Sequence, residues 1–227
     1  MNIASRLRYS GFAVFVGCLL LSTVAEASVL YTNGDFPNNA TVQGWNITHG
    51  FVAASTFDLA SNSTLTGADI GLWAFPQGDA LNTIDWSIAS LPDGTGTTYA
   101  SGTATISNST DFGLNNHDFD LLLDTFALPN VNLASGTYWL ILQNGSVTGG
   151  DNVYWDQGGG LSSLWANGNF LGPDTNCGFS ANTNGSCGLS FDITGTPNTV
   201  PEPLTISLFG AGVAGAVAMR RRKTKTA

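Results

Sequence analysis

The sequence predicts an all-β protein, an antiparallel β-sandwich of jelly-roll type over residues 28–194. Three observations predict it. Short apolar stretches recur roughly every ten positions, with Gly, Pro, Asn or Asp between them. Abundant Gly, Asn, Ser and Thr suit tight turns, while Trp, Phe, Val and Leu suit a pleated, half-buried surface. No stretch of 28–199 repeats its apolar residues at a helical period.

The strands follow in order. Residues 28–31 open the first, and Asn33-Gly34-Asp35 and Pro37-Asn38-Asn39 are turn chemistry. In 50–59, Phe51, Ala53 and Phe57 have the spacing of a half-buried strand. Residues 64–75 carry Leu65, Ile70, Leu72, Trp73 and Phe75, with Gly67 and Gly71 as expected bulges. Residues 83–89 set Ile84, Trp86 and Ile88 against Asp85 and Ser87, the clearest two-residue alternation in the chain. Residues 91–96 read as a loop, 98–106 as a Thr-rich strand, and 118–128 as a strand with Phe119, Leu121, Leu123 and Leu128. In 136–144, Tyr138, Leu140 and Leu142 share one face and Trp139 and Ile141 the other, so both faces are expected to be buried. Residues 153–156 form a short strand before Gly158-Gly159-Gly160, 161–188 read as loop, and 190–193 close the sheet.

The chain has 7 Lys and Arg, all of them in residues 1–27 or 200–227. Of its 16 acidic residues only Glu26 and Glu202 lie in those ends; the rest are all Asp, within 28–199. The middle therefore has no internal Asp–Lys or Asp–Arg pair, and its carboxylates must be solvated, hydrogen-bonded or metal-bound. Nucleic acid and anionic lipid are excluded as partners of this region, since counterion release needs cations. Lysine Schiff-base chemistry and arginine phosphate clamps are excluded too.

Both ends read as targeting segments. Residues 1–27 have Arg6 and Arg8, a largely apolar run, and Ala25-Glu26-Ala27, which predicts cleavage by signal peptidase after Ala27. Residues 195–199 are a polar linker. After Pro201-Glu202-Pro203, residues 204–219 carry no charge, and Arg220, Arg221, Arg222 and Lys223 follow in a basic stop over 220–225. A helix over 204–219 covers about 24 Å, close to the bilayer core, and the basic stop marks the cytoplasmic side. The middle is then exported.

The tail 200–227 closely resembles the PEP-CTERM sorting signal of Gram-negative bacteria, through Pro201-Glu202-Pro203, the apolar run and Arg220, Arg221 and Arg222. The resemblance implies processing by a membrane-embedded exosortase and residence first in the inner membrane, then in the cell envelope, at the surface or in the extracellular matrix. It also implies company with exopolysaccharide and biofilm systems. The middle looks like the extracellular β-sandwich domains that bacteria attach to interchangeable anchors, a likeness that brings no activity with it.

Candidate sites within the middle are fewer. Cys177 and Cys187 remain after signal removal and read as a disulfide in an exported protein, with free thiols or a metal pair as alternatives. Asp118, Asp120 and Asp124 share one strand face, and Asp151 and Asp156 flank the strand at Val153. Such an oxygen-rich surface suits Ca²⁺, yet no EF-hand spacing occurs, and a solvated acidic face is the plainer reading. No metal site or cofactor is assigned. Trp155 and Trp165, beside glycine-rich loops, are the candidates for glycan contact, while Trp73 and Trp86 read as core. His49 and His117 stand alone, and no nucleophile elbow occurs.

These features predict a non-enzymatic structural or adhesive protein of exopolysaccharide or biofilm. A carbohydrate-binding module is the alternative, and a glycan-active enzyme using paired Asp a further one.

Overall fold

The computed structural model describes residues 27–34, 36, 44–75, 78–115, 117–157, 162–170, 188–198 and 212. The expected signal peptide, the expected membrane helix over 204–219 apart from residue 212, Pro201-Glu202-Pro203, Arg220, Arg221, Arg222, Cys177 and Cys187 lie outside these residues. Among the described residues no helix is long and apolar enough to cross a membrane.

The expected all-β class is found. Among the described residues twelve strands run as β1 (Ser28–Asn33), β2 (Gly44–Asn46), β3 (Val52–Leu59), β4 (Ser63–Ala74), β5 (Leu81–Ala89), β6 (Thr98–Leu114), β7 (Asp120–Leu133), β8 (Gly136–Val147), β9 (Val153–Asp156), β10 (Leu164–Ala166), β11 (Asn169–Phe170) and β12 (Phe191–Pro197). Every pairing is antiparallel.

Where a sandwich of two sheets is expected, the structure has one curled sheet in the order β1-β12-β4-β7-β6-β5-β8-β3-β10-β11, with β9 beside β4 and β2 beside β9. The physical reason is β6. Its first half pairs with β5, from Thr98 opposite Ala89 to Thr105 opposite Thr83. Its second half pairs with β7, from Ile106 opposite Phe126 to Leu114 opposite Asp120, with register shifts on the way. A bulged 17-residue strand can thus belong to two leaves and bend the sheet between them.

The core lies between the leaves. From β4, β7, β9 and β12 come Ile70, Leu72, Phe126, Trp155 and Phe191; from β3, β5 and β8 come Phe57, Ile84, Trp86, Leu140 and Leu142. The two-faced burial expected of β8 is present: Tyr138, Leu140 and Leu142 join this core. Trp139 and Ile141 are buried on the opposite face with Ala54 and Ala89. Gly67 marks a register shift against β7, as expected of a bulge. Gly71 is in regular register; what requires glycine there is the Phe36 ring, which occupies the place of a β-carbon.

Opposite β6, a buried polar seam ties the leaves together. Asn33 Nδ2, at the end of β1, donates to Ser162 Oγ at 2.6 Å and to the Leu189 carbonyl at 2.6 Å. Ser162 Oγ lies 2.6 Å from Ser55 Oγ of β3. Removing the Asn33 amide leaves the Leu189 carbonyl and the Ser162 N–H buried without that partner, which costs about 1–3 kcal/mol. Asn33→Ala is therefore expected to lower the melting temperature by roughly 4–8 °C in a calorimetric scan; an unchanged transition would show that water takes over the seam.

The first and last strands are neighbours. Ser28 stands opposite Gly195, Pro197 opposite Ser63, and the Asn198 N–H bonds to the Asn62 carbonyl at 2.7 Å. Both ends of the folded region therefore leave from one rim, the tether end. β4 runs from that rim to the far end, where Ala74 stands opposite Asp120 and Val153.

Candidate functional site

The far end of the leaf containing β4 is built by alternation. Ile70, Leu72 and Ala74 of β4 point into the core, so Asp69, Gly71 and Trp73 point outward. On β7, Leu122 and Phe126 are core and Leu121 and Leu123 lie on the outer side; on β9, Trp155 is core and Tyr154 and Asp156 are outer.

That outer face is not a plain solvated surface. Trp73 and Leu121 are buried there beneath Phe36, Phe119 and Tyr154. Phe119 packs at 6.0 Å from Trp73, 5.3 Å from Phe75 and 5.8 Å from Tyr154, centroid to centroid. Phe36 meets Phe112 edge-on at 5.6 Å. At the margin Phe75, Phe112 and Leu114 are left 48 %, 45 % and 48 % exposed. Beside this surface a cleft of about 250 Å³ is lined by Thr32, Gly34, Phe36, Leu123, Ser190 and Asp192. Asp69 stands opposite Asp192 across β4 and β12, and Thr125 donates to Asp69 Oδ1 at 2.5 Å.

Two aspartates are fully buried. On the outer side, neither carboxyl oxygen of Asp156 accepts a hydrogen bond. Burial dominates and pushes its pKa up to about 8. On the core side, Asp124 is pushed up to about 6 by burial, opposed by the Ser109 hydroxyl. No lysine or arginine exists in 28–199 to pair with either, so burial favours the protonated form of both, and Asp156 keeps its proton at neutral pH.

Asp118, Asp120 and Asp124 do not form the shared solvated face expected of them, nor the grouping that Ca²⁺ would need. Asp118 precedes β7, is exposed and has a φ of 61°; Asp120 accepts the Gly78 N–H at 2.7 Å; Asp124 faces the core. The strand begins two residues later than its sequence pattern suggests, which takes Asp118 off the shared face. Of the other pair, Asp151 is exposed and Asp156 buried. Among the described residues no three His, Cys, Asp or Glu side chains come together to hold a metal ion.

Trp155 is placed otherwise than expected. Its ring is 0 % exposed, its Nε1 donates to the Ser190 carbonyl at 2.9 Å, and it meets Phe191 edge-on at 5.5 Å. The glycines after it suggest exposure, but Val153 and Trp155 share the inner side of β9 and so fill the core. Trp165 is half-buried on β10, against Ala54, Ala89, Trp139 and Ile141 on the outer side of the other leaf. The two rings thus lie in different places and form no common platform. Ala27, the expected cleavage residue, is exposed just before β1.

The surface that sequence reasoning missed is the outer aromatic one. Phe112 stands among Asp, Gly and Asn, and Phe119 between two aspartates, so neither is conspicuous in the sequence.

No curated protein matches the chain. Residues 199–223 match the family of the PEP-CTERM protein-sorting motif, and the match begins at the residue after Asn198. The chain thus carries a PEP-CTERM protein-sorting motif, the signal that implies recognition by exosortase and export through membrane-anchored sorting to the cell surface.

Proposed function

We propose that this chain is a non-catalytic structural or adhesive protein of the cell envelope or extracellular matrix, delivered by signal peptidase and exosortase. The observation that carries it is the join between fold and signal. Asn198 is still hydrogen-bonded to the β4 rim, and Pro201 follows within at most about 11 Å of chain. A processing enzyme in the membrane thus receives a finished domain on a short lead. The domain has no cation with which to hold the anionic leaflet once the tail is cut.

A catalytic reading would need a carboxylate pair in a cleft. Asp69 and Asp192 are the nearest to one, but the Thr125 hydroxyl occupies Asp69 Oδ1, which favours a structural part for that carboxylate. The association with exopolysaccharide rests on the resemblance of the tail.

Mass spectrometry of the mature protein tests the reading. The expected product begins at Ser28 and lacks 204–227. An intact 204–227 segment in cells with a working exosortase overturns the processing step, and detection of the domain in the cytoplasm overturns the whole reading.

A further inference from the structure

The sheet face that carries Phe36, Phe75, Phe112, Leu114 and Phe119 has the form of a contact surface. Soluble domains rarely leave linked apolar rings in water, and such patches mark interaction sites. The rings here are held rather than loose: Phe119 touches Trp73, Phe75 and Tyr154, and Phe36 sits over Gly71. Phe75, Phe112 and Leu114 are the members that still face solvent.

Position narrows the occupant. β1 starts and β12 ends at the tether rim, whereas Phe75 and Phe119 lie just beyond the far ends of β4 and β7. The 12 residues of β4 put roughly 40 Å between the two. A domain held by its tail therefore carries the ring surface away from the membrane.

Charge narrows it further. The patch is bordered by exposed carboxylates: Asp111 precedes Phe112 and Asp118 precedes Phe119. With no lysine or arginine in 28–199, an anionic polymer is repelled, and a second copy would bring the same carboxylates against each other. A neutral, hydroxyl-rich polymer meets neither obstacle. Its C–H faces can lie on the rings, and its hydroxyls can donate to the bordering carboxylates.

We propose that the far end of the domain, centred on Phe75, Phe112 and Leu114, binds a neutral polysaccharide chain. This inference gives the proposed adhesive role its surface and its ligand class, and rests on that reading. The two fail separately, because binding is measured without any processing.

The full chain in mild detergent is mixed with insoluble cellulose, chitin and β-1,3-glucan, with alginate gel beads as the anionic control, and the bound fraction is measured. Retention is expected on at least one neutral polymer and not on alginate. The double variant Phe75→Ala/Phe112→Ala, at two half-exposed positions, is expected to weaken retention at least tenfold while its melting temperature stays within about 2 °C. Leu114→Asp, which adds a carboxylate and removes no ring, gives the same answer if the double variant fails to fold. Retention on none of the neutral polymers, equal retention on alginate, or retention unchanged in the variants overturns the proposal. So does a wild-type dimer in sedimentation that the variants abolish, since the occupant is then a second copy.

Discussion

At pH 8 the variant Asp156→Asn is expected to unfold at a temperature roughly 6–12 °C above the wild type, a gain of about 3 kcal/mol. The cause is the proton on Asp156. In the unfolded chain an aspartate ionises near pH 4, whereas in the folded domain burial holds this one neutral up to about pH 8. Between those values the folded state binds a proton that the unfolded state does not, so stability falls as pH rises, by about 1.4 kcal/mol per unit. Asp124, pushed up to about 6, adds a second contribution of the same sign between about pH 4 and pH 6. The wild type should therefore be most stable near pH 4, lose stability fastest up to pH 6 and more slowly up to pH 8. An amide has nearly the shape of the neutral acid and never ionises, so Asp156→Asn should be less stable than the wild type near pH 4, overtake it as pH rises and exceed it at pH 8. The amide's own unbonded N–H groups make the gain smaller than the full ionisation cost. Melting scans from pH 4 to pH 8 check this; a constant offset across that range would mean that Asp156 is ionised in the fold.

Trp155→Ala is expected to destabilise by about 3–5 kcal/mol and lower the melting temperature by roughly 10–15 °C. The ring is among the largest fully buried side chains, and its removal opens a cavity between Phe191 and β4. It also strips the Ser190 carbonyl of its indole donor. Trp155→Phe keeps an aromatic face towards Phe191 and should fall between the two. Neither change is expected to alter polysaccharide retention at a temperature where the variant is folded. A Trp155→Ala protein that melts like the wild type but no longer binds glycan would return this ring to the role its sequence neighbours suggest.

The contrast between Trp155 and Phe119 shows what the sequence made legible. Strands with sustained alternation were readable: Ile84-Asp85-Trp86-Ser87-Ile88 and Tyr138 to Leu142 lie as their pattern requires. β2, β10 and β11 are too short to display a period, and β10 falls in a stretch that reads as loop. β6 runs eight residues beyond its Thr-rich beginning because its second half has a different partner, which no local pattern encodes. For the site, Asp156 reads from the sequence as part of a solvated acidic surface, yet the face of β9 that carries it is buried here. Burial by residues distant in sequence, such as Phe36 over Gly71, was not legible. The tail was: its three features are contiguous and owe nothing to folding.

The neighbouring of β1 and β12 has a consequence for how the protein crosses the membrane. β12 sits between β1 and β4, so the strand made first has no partner until the strand made last arrives. The leaf cannot be completed until residue 197 has been synthesised and threaded through. Pairings that distant in sequence also form slowly. A polypeptide of this topology stays unfinished, and hence pliable enough for a narrow translocation channel, until nearly all of its domain has emerged on the other side.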